Sequence, residues 1–193
     1  MSATSDTATD RDRLIAIIRA RSFEEGREIK LASGRTSRFY FNMKPTMLDP
    51  AGARLIGKLV LARLNGLDVD FVGGLEMGAV PVATAVTVMS DVAGRPLPAF
   101  FVRKEAKDHG TQSLVEGLAP GETLAGKRVA IVEDVTTTGG SALKAVTAVK
   151  AAGAEVVAVV TIVEREEGAA ETFAEAGLTF LPVLTLGDFR TQA

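Results

Sequence analysis

The sequence predicts an α/β fold: a mostly parallel sheet flanked by helices, with a small hood added at the N-terminus. Short apolar runs alternate with helical stretches along most of the chain, which is typical of parallel sheets covered on both faces. The chain has 193 residues, of which 47% are hydrophobic and 24% charged, as in ordinary globular domains. We therefore expect one domain over 1–193, with an N-terminal arm and hood at 1–48 and a core at 49–193.

The N-terminal arm is predicted to contain a short helix and a hairpin. The apolar residues at positions 14, 15, 17 and 18 would share one face of a helix capped by Asp10. Glu28–Leu31 and Arg38–Asn42 alternate like two strands around the turn residues Ser33–Thr36. This hairpin would form a small antiparallel layer apart from the main sheet, which we call the hood.

The core begins with a strongly marked helix and continues with strands and helices in alternation. Asp49 would cap that helix, Pro50 would occupy its first position and Gly66 would end it. The predicted strands are Phe71–Gly73, Pro98–Val102, Arg128–Val132, Glu155–Val163 and Thr179–Leu184. The predicted helices between them are Ala79–Ser90, Gly140–Ala152 and Ala169–Ala176. Ligands of such folds bind beyond the carboxyl ends of the strands.

Charge and cysteine content exclude several classes of function. The net charge of −2 provides no broad positive field for nucleic acid or membrane surfaces, so any anion site must be local. The uncharged stretches Met77–Ser90 and Val156–Val163 are shorter than the ~20 residues of a membrane helix. The absence of cysteine and the single histidine argue against thiolate or histidine metal sites. We expect a cytoplasmic protein without nucleic-acid or membrane partners.

One segment combines several features of a phosphoribose site. The strand at Arg128–Val132 runs into Glu133 and Asp134, then into a turn of hydroxyls and glycines that ends at Ser141, and then into a helix. Backbone N–H groups of such a turn and the helix N-terminus bind phosphate, whereas the two carboxylates suit ribose hydroxyls or a hydrated Mg²⁺. The alternative is an acidic surface turn that caps a helix.

A competing phosphate motif, Gly121–Lys127, matches only the first part of a P-loop pattern. Arg128 stands where the magnesium-binding Ser or Thr belongs, and the segment precedes a strand instead of following one. We interpret Gly126-Lys127 as a turn into the next strand.

The connection between two of the predicted strands is long and locally basic. Residues 103–127 separate them, and connections longer than ~12–15 residues are often functional loops. Its first part contains Arg103, Lys104, Lys107 and His109 against two acids. We therefore predict a mobile lid at 103–127 that closes over a polyanion; a solvated charge run is the alternative.

Four segments of the chain resemble motifs of a known family. Val132–Ser141 resembles the signature with which type I phosphoribosyltransferases bind phosphoribosyl pyrophosphate (PRPP). Arg103–Gly110 resembles the catalytic loop of orotate phosphoribosyltransferases, and Ser33–Asn42 resembles their hood motif. Gly73–Gly78 corresponds to the family's pyrophosphate loop. The resemblance extends from about Leu14 to Arg165.

The resemblance implies transfer of 5-phosphoribose from PRPP to orotate, giving orotidine 5′-monophosphate and pyrophosphate in de novo pyrimidine synthesis. It implies Mg²⁺ as cofactor, held mainly through PRPP without a dedicated protein cage, and a homodimer whose lids serve the neighbouring subunits. The residues implied in catalysis are Lys107, Asp134 and Arg103. Those implied in PRPP binding are Arg103, Lys104, Lys107, His109, Glu133, Asp134, Val135, Thr136, Thr137, Thr138, Gly139, Gly140 and Ser141. Those implied in orotate binding are Thr137, Arg165, Tyr40 and Phe41, although packing of the hood on the core explains the aromatic residues equally well.

The chain departs from the family pattern at a few positions. Many bacterial members have lysines where this chain has Ala32 and Met77, so Lys30, Lys44 or the lid would have to supply that charge. The familiar Asp-Asp pair is Glu133-Asp134 here, which keeps both charges. A purine phosphoribosyltransferase would not need Arg165 or the basic lid. A PRPP-sensing regulator without turnover would need a basic surface or an extra domain.

Overall fold

A computed structural model describes residues 3–30, 36–105 and 114–190. The helices are α1 (Ala3–Arg21), α2 (Lys44–Met47), α3 (Pro50–Leu64), α4 (Ala79–Val92), α5 (Gly140–Ala151) and α6 (Ala169–Glu175). The strands are β1 (Phe23–Lys30), β2 (Thr36–Phe41), β3 (Phe71–Leu75), β4 (Ala99–Val102), β5 (Val115–Glu116), β6 (Arg128–Thr136), β7 (Glu155–Glu164) and β8 (Phe180–Thr185). A 3₁₀ turn, Leu186–Asp188, follows β8. No helix in these three ranges has the length and apolarity needed to cross a membrane.

The main sheet has the strand order β5-β4-β3-β6-β7-β8. All neighbouring pairs are parallel except β4 and β5, which confirms the predicted α/β class. The chain leaves β3 toward β4 on one side and leaves β6 toward β7 on the other. The order therefore reverses between β3 and β6, and the loops after these two strands border the crevice where such folds bind ligands.

Alternate residues of the central strands enter two separate apolar cores. Val72, Ala130 and Val160 belong to the core on the side of α1, α3 and α4. Phe71 and Val129 belong to the core on the side of α5 and α6. This alternation follows from the two-residue repeat of a strand, and burial on both faces explains why these strands are continuous apolar runs.

The first core helix forms as predicted, because its start is specified locally. The Asp49 carboxylate accepts hydrogen bonds from the backbone N–H groups of Ala51 and Gly52, both at 3.0 Å, and Pro50 occupies the first helical position. A carboxylate at this place satisfies N–H groups that have no partner within the helix.

Asp10 does not cap the first helix, so that prediction is wrong. The helix α1 begins at Ala3, and Asp10 lies inside it, 3% exposed. Its carboxylate pairs with Lys58 of α3 at 2.5 Å. A buried carboxylate needs such a cationic partner, and this one contributes to holding α1 on α3.

The hood is a two-stranded antiparallel sheet whose first strand begins at Phe23, five residues before the predicted start. Phe23 pairs with Phe41 across the strands, and both rings lie 5.0–5.4 Å from Phe189, which follows β8. The strand starts early because this aromatic contact spans distant parts of the chain. The turn residues 31–35 lie outside the described ranges.

The predicted lid is interrupted by β5, which pairs with β4. The backbone N–H of Arg103 donates to the carbonyl of Leu114 at 2.9 Å, and this bond closes the base of a smaller loop, 104–113. Residues 106–113, including Lys107 and His109, lie outside the described ranges. The interpretation of Gly126-Lys127 as a turn is confirmed, since Gly126 has φ +71° and β6 begins at Arg128.

Candidate active site

A cavity of about 470 Å³ opens between the loops that follow β3 and β6. Its lining is Lys44, Met47, Leu48, Leu75, Glu76, Met77, Gly78, Pro81, Lys104, Glu133, Asp134, Val135 and Ser141. A second cavity of about 280 Å³ is lined by Glu133, by the run from Val135 to Ala142, and by Lys144. The two share Glu133, Val135 and Ser141, so they form one continuous site at the reversal point of the sheet.

The acid pair stands between the two cavities. Glu133 is 6% exposed, and burial followed by the charge of Asp134 raises its pKa well above the usual 4.5. Asp134 accepts a hydrogen bond from the N–H of Val135 at 2.9 Å. A Cβ on Gly78 would lie 2.5 Å from Asp134 Oδ1, so a side chain here would displace the acid from its present position. The pair brings two carboxyl groups to the cavity lining, and carboxylate oxygens accept hydrogen bonds.

The smaller cavity is shaped by the hydroxyl and glycine turn before α5. Gly139 has φ +87°, and a Cβ there would lie 2.9 Å from the ring of the fully buried Phe173. Glycine tolerates both constraints. The turn and the first residues of the 12-residue helix α5 line the cavity, and the N-terminus of a helix is suited to bind phosphate.

Lysines from two different segments line the larger cavity. Lys44 starts α2, and Lys104 follows β4. The Lys104 backbone N–H donates to Glu76 Oε1 at 3.0 Å, which ties the start of the lid to the β3 loop. Met77 is 64% exposed at the same cavity, so one of the two positions where the resemblance implies a lysine lies in the cavity lining.

Arg165 lies beside the hood, at the end of β7. Its side chain is 3% exposed, its Nη2 donates to Ser37 Oγ at 2.7 Å, and the same Nη2 lies 2.9 Å from Glu167 Oε1. Burial lowers the pKa of the guanidinium, and the charge of Glu167 opposes that shift. The arginine is at the predicted carboxyl edge, but the hood covers it.

The hood aromatics divide between the two faces of β2. Phe41 is 7% exposed, packs on Phe23 and Phe189, and has Arg165 Cζ 6.0 Å from its ring centre. This supports the alternative that Phe41 packs the hood on the core. Tyr40 alternates with Phe41 along β2 and is half-buried.

The predicted site residues are only partly brought together. Those of the β6 loop line the two cavities, and Lys104 joins them. The Arg103 side chain instead donates to the Glu105 carbonyl at 3.1 Å and lies 3.8 Å from Glu116. Lys107, His109 and Ala32 lie outside the described residues. Within the described ranges, no three His, Asp or Glu side chains form a group that could hold a metal.

Sequence reasoning missed two neighbours of Arg165. Ser37 was seen only as part of the hood motif, and Glu167 was not singled out at all. Glu166 and Glu167 follow the arginine directly, and no pattern in the sequence distinguishes the acid that pairs with it from the one that faces Arg190.

Comparison with known proteins gives consistent matches. Residues 46–176 match the phosphoribosyl transferase domain family. The orotate phosphoribosyltransferase of Rhodopseudomonas palustris strain BisB5 is 59% identical over 182 residues, or 94% of this chain and 97% of that protein. The Mycobacterium tuberculosis H37Rv orotate phosphoribosyltransferase in complex with Fe(III) dicitrate is similar with a TM-score of 0.81 and 43% identity, covering 94% and 99% of the two chains. The structure of the same enzyme in complex with PRPP is similar with a TM-score of 0.76 and 40% identity, covering 93% of this chain and 98% of that chain.

Proposed function

The chain belongs to the orotate phosphoribosyltransferases of the phosphoribosyl transferase domain family, and from this premise we propose how its residues divide the reaction. It transfers 5-phosphoribose from PRPP to orotate, giving orotidine 5′-monophosphate and pyrophosphate in pyrimidine biosynthesis. The observation that carries the assignment of roles is the continuous double cavity at the sheet reversal, with the acid pair between its halves.

The 5′-phosphate would occupy the smaller cavity, and the ribose would lie on the acid pair. Thr136–Ser141 and the N-terminus of α5 supply N–H and hydroxyl donors for the phosphate. Glu133 and Asp134 accept hydrogen bonds from the ribose hydroxyls. When the diphosphate leaves, positive charge develops on the ribose ring, and the Asp134 carboxylate beside it stabilises that charge.

The diphosphate would lie in the larger cavity, where Lys44 and Lys104 provide positive charge. Both lysines line that cavity together with Met77, so they supply charge where the lysine of many relatives is absent. Arg103, Lys107 and His109 of the lid complete this group in the proposal. These cations interact more strongly with the diphosphate as it leaves and gains negative charge. An interaction that is stronger in the transition state than in the bound substrate raises kcat, whereas one of equal strength in both only tightens binding.

Magnesium is the proposed cofactor. The chemistry of the acid pair fits it, because Mg²⁺ prefers carboxylate and phosphate oxygens and retains water ligands. Glu133 Oε2 is buried without a hydrogen-bond partner among the described residues. The ion would be held mainly through PRPP, with Glu133 and Asp134 nearby, and would neutralise charge on the diphosphate.

Orotate would be selected by its carboxylate. Arg165 follows the carboxyl end of β7. A guanidinium recognises a carboxylate with directed hydrogen bonds. Thr137 and Tyr40 would complete the orotate site, with Phe41 supporting Arg165 from behind. A purine phosphoribosyltransferase would have no use for this arginine, and the named relatives are orotate enzymes.

The remaining parts of the proposal are a cytoplasmic homodimer and a lid that serves the neighbouring subunit. Mixing Lys107→Ala with Arg165→Leu, followed by subunit exchange and an assay at an orotate concentration far below the raised KM of Arg165→Leu, where each variant alone is nearly inactive, tests the shared lid. About half of the dimers would be hybrids with one intact site of two, so activity should recover to roughly a quarter of wild type. If each lid closes over its own subunit, every hybrid site keeps one defect and no activity returns.

The reaction itself is tested by mixing the purified protein with PRPP, Mg²⁺ and one base at a time. Orotate should be consumed, whereas uracil, adenine and hypoxanthine should persist. Uracil is the sharpest comparison, because it is orotate without the carboxylate. Equal consumption of uracil and orotate would contradict selection through Arg165, and consumption of a purine would contradict the assignment.

A further inference from the structure

The guanidinium of Arg165 is held from two directions by residues that are far apart in sequence. Ser37 of the hood accepts a hydrogen bond from Nη2 at 2.7 Å, across a separation of 128 residues. Glu167, in the turn between β7 and α6, lies 2.9 Å from the same nitrogen. The hydrogen bond to Ser37 therefore fixes one N–H of this nitrogen, and the ion pair with Glu167 holds the same end of the guanidinium from the other side.

The rest of the arginine is also fixed. Its backbone N–H donates to the carbonyl of Thr136 at 2.9 Å, which continues the pairing of β7 with β6. Its Nε is buried and has no hydrogen-bond partner among the described residues. Buried donors nearly always have partners, so this N–H is a donor of the guanidinium that the protein contacts leave unused.

We propose that Ser37 and Glu167 are positioning residues for orotate, which hold the Arg165 guanidinium in the orientation that receives the carboxylate. The inference rests on the proposed role of Arg165. A free arginine side chain loses rotamer freedom when it is ordered. Contacts that order it before the base arrives remove that cost from binding and fix the direction of the remaining donors.

The hood therefore selects the base indirectly, through Arg165. Phe41 is already buried against Phe23 and Phe189, which limits it to packing, whereas Ser37 reaches the arginine directly. Loss of the Ser37 hydroxyl should accordingly change recognition of orotate and leave recognition of PRPP unaltered.

Glu167 could instead serve only to neutralise a buried charge, and two substitutions distinguish these roles. Glu167→Gln keeps an acceptor oxygen for Nη2 but removes the charge, whereas Glu167→Ala removes both. Positioning predicts that Gln restores orotate recognition. Charge neutralisation predicts that Gln and Ala are equally defective.

The test is steady-state kinetics with orotate and PRPP varied separately, on wild type, Ser37→Ala, Glu167→Ala and Glu167→Gln. The two alanine variants should raise the KM for orotate about tenfold each, with the KM for PRPP within about twofold. Glu167→Gln should stay within about threefold of wild type for both substrates. Glu166→Ala is the matched control, because Glu166 pairs with Arg190; its orotate KM should not change.

A double-mutant cycle separates positioning from a general effect on the fold. In an Arg165→Leu background, Ser37→Ala and Glu167→Ala should raise the orotate KM no further, since they act only through the arginine. Further additive increases, an equal rise in the PRPP KM, or an unchanged orotate KM in Glu167→Ala would each overturn the inference. Wild-type turnover of orotate in the same assay tests the proposed function separately, so the two failures cannot be confused.

Discussion

The two parts of the proposed site are built in opposite ways. The part proposed for ribose and phosphate comes from the single run Glu133–Ser141, which leaves the central strand β6 and enters α5. The part proposed for the base is assembled from Ser37 in the hood, Arg165 after β7 and Glu167 before α6. The first depends on local backbone geometry, and the second depends on tertiary contacts across the hood.

This difference separates the expected effects of substitutions. Changes in the run Glu133–Ser141 should alter PRPP binding or the chemical step regardless of the base. Changes around Arg165 should alter recognition of orotate alone. Asp134→Asn, Arg165→Leu and Gly139→Ala test that separation directly, whereas Lys44→Ala and Glu133→Gln test the electrostatics of the two cavities.

The largest effect is expected from Asp134→Asn. Loss of the carboxylate beside the developing positive charge should lower kcat by about 10²–10³-fold. The KM for orotate should stay near that of wild type. The exposed Asp91, in α4, supplies the control Asp91→Asn, which should leave kcat unchanged. A kcat for Asp134→Asn near that of wild type would remove this carboxylate from the chemical step.

Arg165→Leu should come next and should affect the part proposed for the base. Losing a charged hydrogen-bonding partner costs about 2–3 kcal/mol, so the KM for orotate should rise about 30–100-fold. Affinity for PRPP, measured by isothermal titration without orotate, should remain within about twofold. Equal weakening of both substrates would mean that the arginine supports the fold of the whole site.

Gly139→Ala should distort the loop proposed to bind the 5′-phosphate and raise the KM for PRPP about tenfold. The new Cβ would lie 2.9 Å from the buried Phe173 ring in a backbone with φ +87°, so the loop must shift. Gly66→Ala is the matched control, because Gly66 has φ +83° and no atom within 4 Å of the added carbon. Both variants should lose stability through backbone strain, but only Gly139→Ala should lose PRPP affinity.

Lys44→Ala should produce a smaller change, because the side chain is exposed and water screens its charge. The KM for PRPP should rise about two- to fivefold at low salt, and the difference from wild type should shrink above ~0.5 M salt. Lys150→Ala, on an exposed face of α5, is the control. A Lys44→Ala enzyme that matches this control at low salt would leave Lys104 and the lid as the cations of the diphosphate cavity.

The smallest effect concerns stability and its dependence on pH. Burial raises the pKa of Glu133 in the folded protein above its usual 4.5, so its contribution to stability is complete below about pH 4.5 and is lost as pH rises through the folded value. Glu133→Gln should therefore have a higher Tm than wild type at pH 8, and the gap should close toward pH 4. The exposed Glu175→Gln should show no such gap, and a gap independent of pH would contradict the ionisation argument.

The elements that the sequence predicted well are those with a local cause. Asp49 and Pro50 mark the start of α3 because cap and first position lie within a few residues of each other. The parallel strands were visible because burial on both faces requires continuous apolar runs. The acid pair and the glycine turn were visible because strand, acids, turn and helix follow one another directly in the chain.

The errors and omissions occur where distant residues decide. The sequence predicts Asp10 as a cap, but the residue is buried inside α1 and pairs with Lys58 of α3. The strand β1 begins at Phe23 because Phe41 and Phe189 pack on that ring. The four-residue α2 and the two-residue β5 are too short to produce a periodic pattern, and their neighbours stabilise them.

The sequence by itself determined the class of fold, the phosphoribose loop and the family. Each of these depends on contiguous segments whose local structure is set by neighbouring residues. Only the tertiary structure decided which cations line the larger cavity and how Arg165 is held. The cavity brings Lys44 and Lys104 together from separate segments, and Ser37 reaches Arg165 at 2.7 Å across 128 residues. Burial makes such contacts strong, since unpaired polar groups are costly away from water, but nothing in the local sequence pattern records them.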